Sequence, residues 1–471
     1  MPTILSVQPS KSSTIPSSLQ QMFSGDFLNS LAKECRALKR DRKFKFNAFV
    51  KAMMSMFNSS PKEHNVTIAA AKRYYDSLIP REYMLESKPF YNQLDKPEVK
   101  ACLELLLSHV LNFAISVSGE SAFRQMGKVR RLLKKLQVDD IIMVDGCEVV
   151  LDDDAYANFK TLGFNCSGKG RKHKDGAEPS PALKLHVAYS LKYQTFVHID
   201  ITGVCESERA HVPFGDFRNT LFVMDRGYAG DELEEEIEAS GNYFLIRGKK
   251  STAGKITFLS DFYGREVHDK YDGCAVKAVE LAEFDADVLF GKDHQIRIVK
   301  CQIKDPKCGA MVTSYFRTNL ERDRLGPKQC GYLYRLRWQI ELLNKVCKSD
   351  NGMSTINSSK PHIIIEFLIL SLLSTLFKTI MAHLTQSKYK FEFISMQKVH
   401  ELAKQFDALL IALISGSKRK ISQIVKELLE YMAEHCQRSR PSRTNRKLVK
   451  DLPMQLDKIL RLKNPWQIKM S

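Results

Sequence analysis

Six side chains in two kinds of setting carry the chemistry this sequence can offer. In "YLYRLRWQIELLNKVCK", residues 332–348, no Pro or Gly interrupts a run of good helix formers, so the stretch predicts one helix. Advanced by about 100° per residue, it separates into two stripes. Leu336, Ile340, Leu343 and Cys347 make an apolar face, and Tyr334, Arg337, Glu341 and Lys348 line up on the far side. The plain reading is a solvated face with an ordinary i,i+4 pair, Arg337 with Glu341. Two apolar runs, "IIMVDG" and "LFVMDRGY", each deliver an aspartate, Asp145 and Asp225. Asp-Gly is also a common turn dipeptide. Taken with Glu341, the two aspartates make an oxygen-rich donor set of the kind that holds Mg²⁺ or Mn²⁺. Two such ions, roughly 3.5–4 Å apart, activate a nucleophile and steady the leaving oxygen in phosphodiester chemistry. A phosphate brought to such a cluster needs cations beside it. Arg337 can fork onto it, Lys348 can add a point charge and Tyr334 can offer a hydroxyl. Trp338, at the edge of the stripe, is suited either to stack on an unstacked base or to pack as a core residue.

The elements that must position these groups change texture along the chain. Residues 1–19 are Ser- and Pro-rich and read as disordered. Residues 20–138 read as a helical, DNA-binding domain. It holds "KECRALKRDRKFKF", with seven basic residues including Lys39, Arg40, Arg42 and Lys43, and closes on "KVRRLLKK". From about 139 come short β-branched or alternating runs read as strands: "IIMVD", "ALKLHVAYS", "TFVHIDI" and "LFVMD". Their apolar character suits central strands covered on both faces, with an aspartate at the rim of the sheet. Residues 246–331 hold further strand-like runs broken by Gly, Asp and Pro. The run "FLILSLLSTLF" is eleven residues, too short for a bilayer, and reads as a buried helix. Residues 393–471 read as a helical, basic C-terminal region. Its last 35 residues carry ten Lys or Arg against two Asp, which suits phosphate contact or a solubilising tail.

The signature Y-(2)-R-(3)-E-(6)-K fits Tyr334, Arg337, Glu341 and Lys348 without a gap, and "MVDG" and "VMDRGY…YFLIRGK" precede it in order. In these blocks the chain resembles the bacterial insertion-sequence transposases of the DDE, cut-and-paste group, over about residues 20 to 390. The resemblance implies a multidomain α/β protein. A ribonuclease-H-like catalytic core (139–245 and 332–392) would be interrupted by a β-rich insertion (246–331) and flanked by helical regions. It implies that Asp145, Asp225 and Glu341 are the catalytic, metal-binding triad, with two Mg²⁺ ions per site and Mn²⁺ able to substitute. It implies that Tyr334, Arg337 and Lys348 grip DNA near the cleaved end. Two positions depart from the family pattern. Cys147 stands where the group tends to have Thr, and residues 246–330 lack the Trp that holds a flipped base in hairpin-forming relatives, leaving Tyr315 or Phe316 as substitutes.

Composition agrees with a polyanionic partner. The net charge is +18, from 72 Lys or Arg against 54 Asp or Glu. Eleven single cysteines with no C-x-x-C pair read as a reduced, intracellular chain without a zinc ribbon. "GFNCSGKG" nearly spells a phosphate loop, but Gly170 replaces the Ser/Thr that would hold Mg²⁺, so nucleotide binding is not expected. "LDDDA" reads as a turn or helix start, and His186 and His198 as structural. The expected activity is a DNA transposase cutting element ends, marked by terminal inverted repeats, and joining them to target DNA. The expected partners are double-stranded DNA and, in the synaptic complex, a second copy; no nucleotide and no membrane are expected, and the setting would be the bacterial cytoplasm and nucleoid. The alternatives are a metal-dependent nuclease without strand transfer and a catalytically inactive, transposase-derived DNA-binding protein.

Overall fold

The computed structural model describes residues 22–38, 43–58, 66–118, 126–151, 153–166, 181–249, 254–291, 294–304, 309–345, 347, 356–390, 393–415, 418–437 and 452–469. Its mixed α/β architecture centres on a nine-stranded sheet. The strands are β1 (Asp140–Val150), β2 (Ala182–Ser190), β3 (Thr195–Gly203), β4 (Thr220–Met224), β5 (Tyr243–Arg247), β6 (Lys255–Asp261), β7 (Phe284–Phe290), β8 (His294–Lys304) and β9 (Met311–Thr318). They lie in the order β3-β2-β1-β4-β5-β9-β8-β7-β6.

The central strands are apolar on both faces because both faces are covered. Ile141, Ile142, Met143 and Val144 of β1 are all buried, as is every residue of β4. β1 runs antiparallel to β2 and parallel to β4, and β5 runs parallel to β4. The strand-like runs of 246–331 do not leave this sheet: β9 pairs antiparallel with β5, and β8, β7 and β6 follow outward. β1 also runs on past Asp145 to Val150, so "DG" here is mid-strand and not a turn. Asp145 nonetheless stands at a rim, because its parallel neighbour β4 stops at Met224.

The helices that flank the core in sequence interleave in space. The buried run of residues 367–377 belongs to a 29-residue helix, Pro361–Tyr389, opened by a Pro at its first turn. Length and composition alone would let it cross a membrane, as they would the helix Pro97–Val117, but its most apolar window is wholly buried inside the fold. It packs against Pro97–Val117, against Phe46–Asn58 and against Lys418–His435. Phe46–Asn58 is buried all round, and the buried Lys51 ammonium donates to the Leu413 carbonyl at 2.7 Å. The N- and C-terminal helical regions thus share one set of contacts. Part of the basic tail is helical too: Leu452–Arg461 docks on Gly127–Leu136, where Lys128 and Asp457 pair at 2.7 Å.

Candidate active site

The first two carboxylates are set by strand register. Met143 of β1 pairs with Val223 of β4. Continuing that pairing by two residues sets Asp225 level with Asp145 on neighbouring strands, which lie about 4.8 Å apart. Asp225 then caps the short 3₁₀ turn Arg226–Tyr228, accepting the Gly227 N–H at 2.8 Å.

The third carboxylate arrives from above. The stretch predicted as one helix is three pieces: α1 (Pro327–Tyr334), a 3₁₀ turn at Arg335–Arg337, and α2 (Trp338–Lys345). No Pro or Gly marks that break; Arg335 Nη2 donates to the Lys304 carbonyl at 2.6 Å where the turn tightens. The apolar stripe is as expected, with Leu336, Ile340, Leu343 and Cys347 all buried. The polar stripe faces β1. Arg337 Nη1 lies 3.1 Å from Asp145 Oδ1, and its Nη2 bonds Glu341 Oε1. Asn344 Nδ2 donates to Asp145 Oδ2 at 3.2 Å. Arg337 and Asp145 are 15% and 18% exposed and Glu341 is 30% exposed, so solvent reaches all three.

The electrostatics show an excess of negative charge. Burial, then Glu341, Asp225 and Glu208, push the Asp145 carboxyl up to about 6, with Arg337 the main influence against them. Burial disfavours the Arg337 charge, but Tyr334, Asp145, Glu341 and Asp225 outweigh it and hold its pKa above the usual value. All-oxygen carboxylate donors short of positive charge fit a hard divalent cation such as Mg²⁺ or Mn²⁺.

Beside the carboxylates a cavity of about 300 Å³ is lined by Asp225, Arg226, Arg247, Tyr334 and Arg337. The Tyr334 ring packs on Phe316, 5.2 Å between centroids, with the Arg337 guanidinium 5.8 Å from its own centre. Trp338 is half-buried at the start of α2, and Lys43 is exposed. Lys39, Arg40, Arg42 and Lys348 lie outside the described residues. So does the basic loop following Cys166. Phe316 and Tyr315 are buried and so are not presented to a base. Cys147 is buried in β1, and the helix Asp153–Thr161 begins within "LDDDA". His186 bonds Thr202 Oγ1 at 2.7 Å, and burial pushes its pKa down to about 4. Arg226, Arg247 and Asn344 had no role in the sequence reading. The two arginines stand inside "DRGY" and "YFLIRGK", and Asn344 falls beside the Glu341 stripe, so position along the motifs was the available signal.

A second acidic group lies elsewhere. Asp231, Glu234 and His294 each offer a ligand atom, all within 4.8 Å of one another, and could hold a metal ion. An arginine already stands there. Arg317 Nη2 lies 2.6 Å from both Asp231 Oδ1 and Glu234 Oε2.

The sequence matches the family described as a transposase DDE domain over residues 102–377, more than half of the chain. No curated protein matches it.

Proposed function

The chain belongs to the transposase DDE-domain family, and on that premise we propose that it cuts DNA at the ends of a transposable element and joins those ends to target DNA. The observation that carries this reading is the meeting of Asp145, Arg337 and Glu341, with Asp225 on the adjacent strand at the same level. Asp145, Asp225 and Glu341 would hold divalent ions, which when bound would supply activation of the attacking oxygen and stabilisation of the leaving one. The protein's own work is positioning and charge placement. Arg337 bridges and neutralises Asp145 and Glu341 before DNA arrives, and would turn to a phosphate if divalent cations took its place. Arg226, Arg247 and Tyr334 frame the cavity that receives that phosphate, and Lys348, outside the described residues, is assigned to DNA by its place in the signature alone. Trp338 stacks on a base near the cut.

The strand order β3-β2-β1-β4-β5, antiparallel then parallel, supports a ribonuclease-H-like core, with β6–β9 as the β-rich insertion laid along its edge. We assign end recognition to the N-terminal helical region with its basic segment from Lys39 to Lys43, and synapsis of two ends to a homodimer.

The test is Mg²⁺-dependent cleavage of DNA carrying the element's end, followed by strand transfer with pre-cut ends. Cleavage that survives Asp225→Asn would overturn the site assignment. Cleavage without strand transfer would make the chain a nuclease, and binding without either would make it a DNA-binding protein.

A further inference from the structure

The fold brings together two basic segments from distant parts of the chain. The helix Gly127–Leu136 buries Val129, Leu132, Leu133 and Leu136, and the helix Leu452–Arg461 that docks on it buries Leu452, Gln455, Leu456 and Ile459. Lys128 pairs with Asp457 at 2.7 Å, and Lys135 Nζ donates to the Leu462 carbonyl at 3.2 Å, so the two are tied along their length. What they leave exposed is of one kind. In the first helix it is Arg130, Arg131 and Lys134, and in the second it is Lys458 and Arg461. Asp457, the one acid in the two helices, is already paired with Lys128. Among the described residues none of the five exposed cations has a carboxylate partner.

An ordinary solvated helix face mixes signs. Lys418–His435 exposes Glu427, Glu430 and Glu434 beside Arg419, Lys420 and Lys426. A face of cations alone repels itself, and an anionic partner relieves that. Arg130, Arg131 and Lys134 fall within about 100° of helix arc, so they reach out on one side together. No apolar residue stands exposed beside them, as insertion into a membrane surface would require. Leu452–Arg461 also packs on α1 and on the 3₁₀ turn that carries Arg337. Gln329 Nε2 of α1 donates to the Leu462 carbonyl at 3.2 Å. Lys458 Nζ and the Arg335 guanidinium stand 5.8 and 5.1 Å from the centre of the Tyr332 ring. The two basic helices are thus attached to the element that presents Tyr334 and Arg337, without lining the cavity beside it.

We propose that the exposed cations of these two helices form a second DNA surface, which holds the phosphate backbone of the target duplex without reading its sequence. The inference rests on the reading of the chain as one that joins element ends to target DNA. Lys and Arg ends reach phosphate oxygens and release the counterions condensed on the duplex, a contribution that depends on salt and not on base order. Such a surface suits the partner that carries no terminal repeat.

The experiment is binding of the full chain to duplexes of two unrelated arbitrary sequences across a salt series. Arg130→Gln, Arg131→Gln and Lys134→Gln together should make the salt slope shallower by about two to three, and Lys458→Gln with Arg461→Gln by about one to two, equally for both sequences. All five side chains are exposed, so melting temperatures should stay near wild type. Arg419→Gln, Lys420→Gln and Lys426→Gln together remove the same charge from the mixed face and should change the slope by less than one. With pre-cut ends, strand transfer by the first variant should need about ten-fold more target DNA for its half-maximal rate. A wild-type slope in either helix variant, or an equal change in the mixed-face control, would overturn the inference and leave the transposase reading standing. An equal loss of end cleavage would give the surface to the element's own DNA and overturn its assignment to the target. Unchanged DNA binding with lost binding to phosphatidylserine vesicles would make it a membrane surface instead. A wild-type chain that binds neither duplex would overturn the surface and the transposase reading together.

Discussion

Two acidic clusters on this fold each hold an arginine between carboxylates, yet they differ in what can replace it. At Asp231 and Glu234 the guanidinium of Arg317 touches both carboxylates at 2.6 Å, and Glu234 and Arg317 are almost wholly buried. Glu234 Oε1 also accepts the Gly230 N–H at 3.2 Å, and Arg317 is covered by the Phe290 ring at 4.5 Å. That cation is locked in. At Asp145 and Glu341 the guanidinium of Arg337 is partly exposed and borders an open cavity with two more arginines, Arg226 and Arg247. That cation has somewhere to go. Ligand atoms are closest together in the first cluster, but closeness is not the decisive property. A site for exchangeable ions needs carboxylates whose resident counter-charge can leave without stranding a buried charge.

The largest separation between the clusters is expected in catalysis. Asp225→Asn should lower Mg²⁺-dependent DNA cleavage by about 10²–10³-fold or more. Glu234→Gln should leave the rate per folded molecule near wild type, and single-turnover cleavage with active-site titration reads the difference. Stability should separate them in the opposite sense. Arg317→Met strands the buried Glu234 carboxylate without its counter-charge, while the half-exposed Asp231 stays solvated, and should cost about 3–5 kcal/mol in denaturant unfolding. Arg337→Met, at a partly solvated pair, should cost much less while reducing the salt slope of DNA binding by about one. Equal losses of stability would remove the distinction.

A smaller effect concerns pH. The Asp145 carboxyl, pushed up to about 6, must lose its proton to bind a cation. Mn²⁺ affinity should therefore fall as the pH drops below 6, and Asp145→Asn should flatten that slope. Without metal the sign for stability is reversed. The raised folded pKa favours the protonated acid, so this contribution is full below about pH 4, the ordinary aspartate value, and is lost as the pH rises through 6. The smallest expected effect is a null one: His294→Ala should leave Mn²⁺ affinity unchanged, and a drop would make the second cluster a metal site after all.

How much of this was legible in the sequence follows from how each feature is encoded. The stripes on residues 334–347 depend on local periodicity, and the burial of Leu336, Ile340, Leu343 and Cys347 follows it. The apolar runs before Asp145 and Asp225 mark central strands for the same reason. The 3₁₀ turn at Arg335–Arg337 is set by tertiary contacts such as Arg335 to the Lys304 carbonyl, and no local residue announces it. β6–β9 look like a separate unit along the chain because strand pairing is not written locally; only β9 meeting β5 shows that they extend the same sheet. The interleaving of Phe46–Asn58 with Pro361–Tyr389 is likewise a contact between segments some 300 residues apart, visible to no window of sequence.

The most direct test of the central claim is a Mn²⁺-soaked crystal of the chain, read by anomalous scattering. The account predicts manganese peaks in coordination contact with Asp145, Asp225 and Glu341, with Arg337 swung away from them. A peak held by Asp231, Glu234 and His294, with the Asp145 cluster still closed on Arg337, would contradict it.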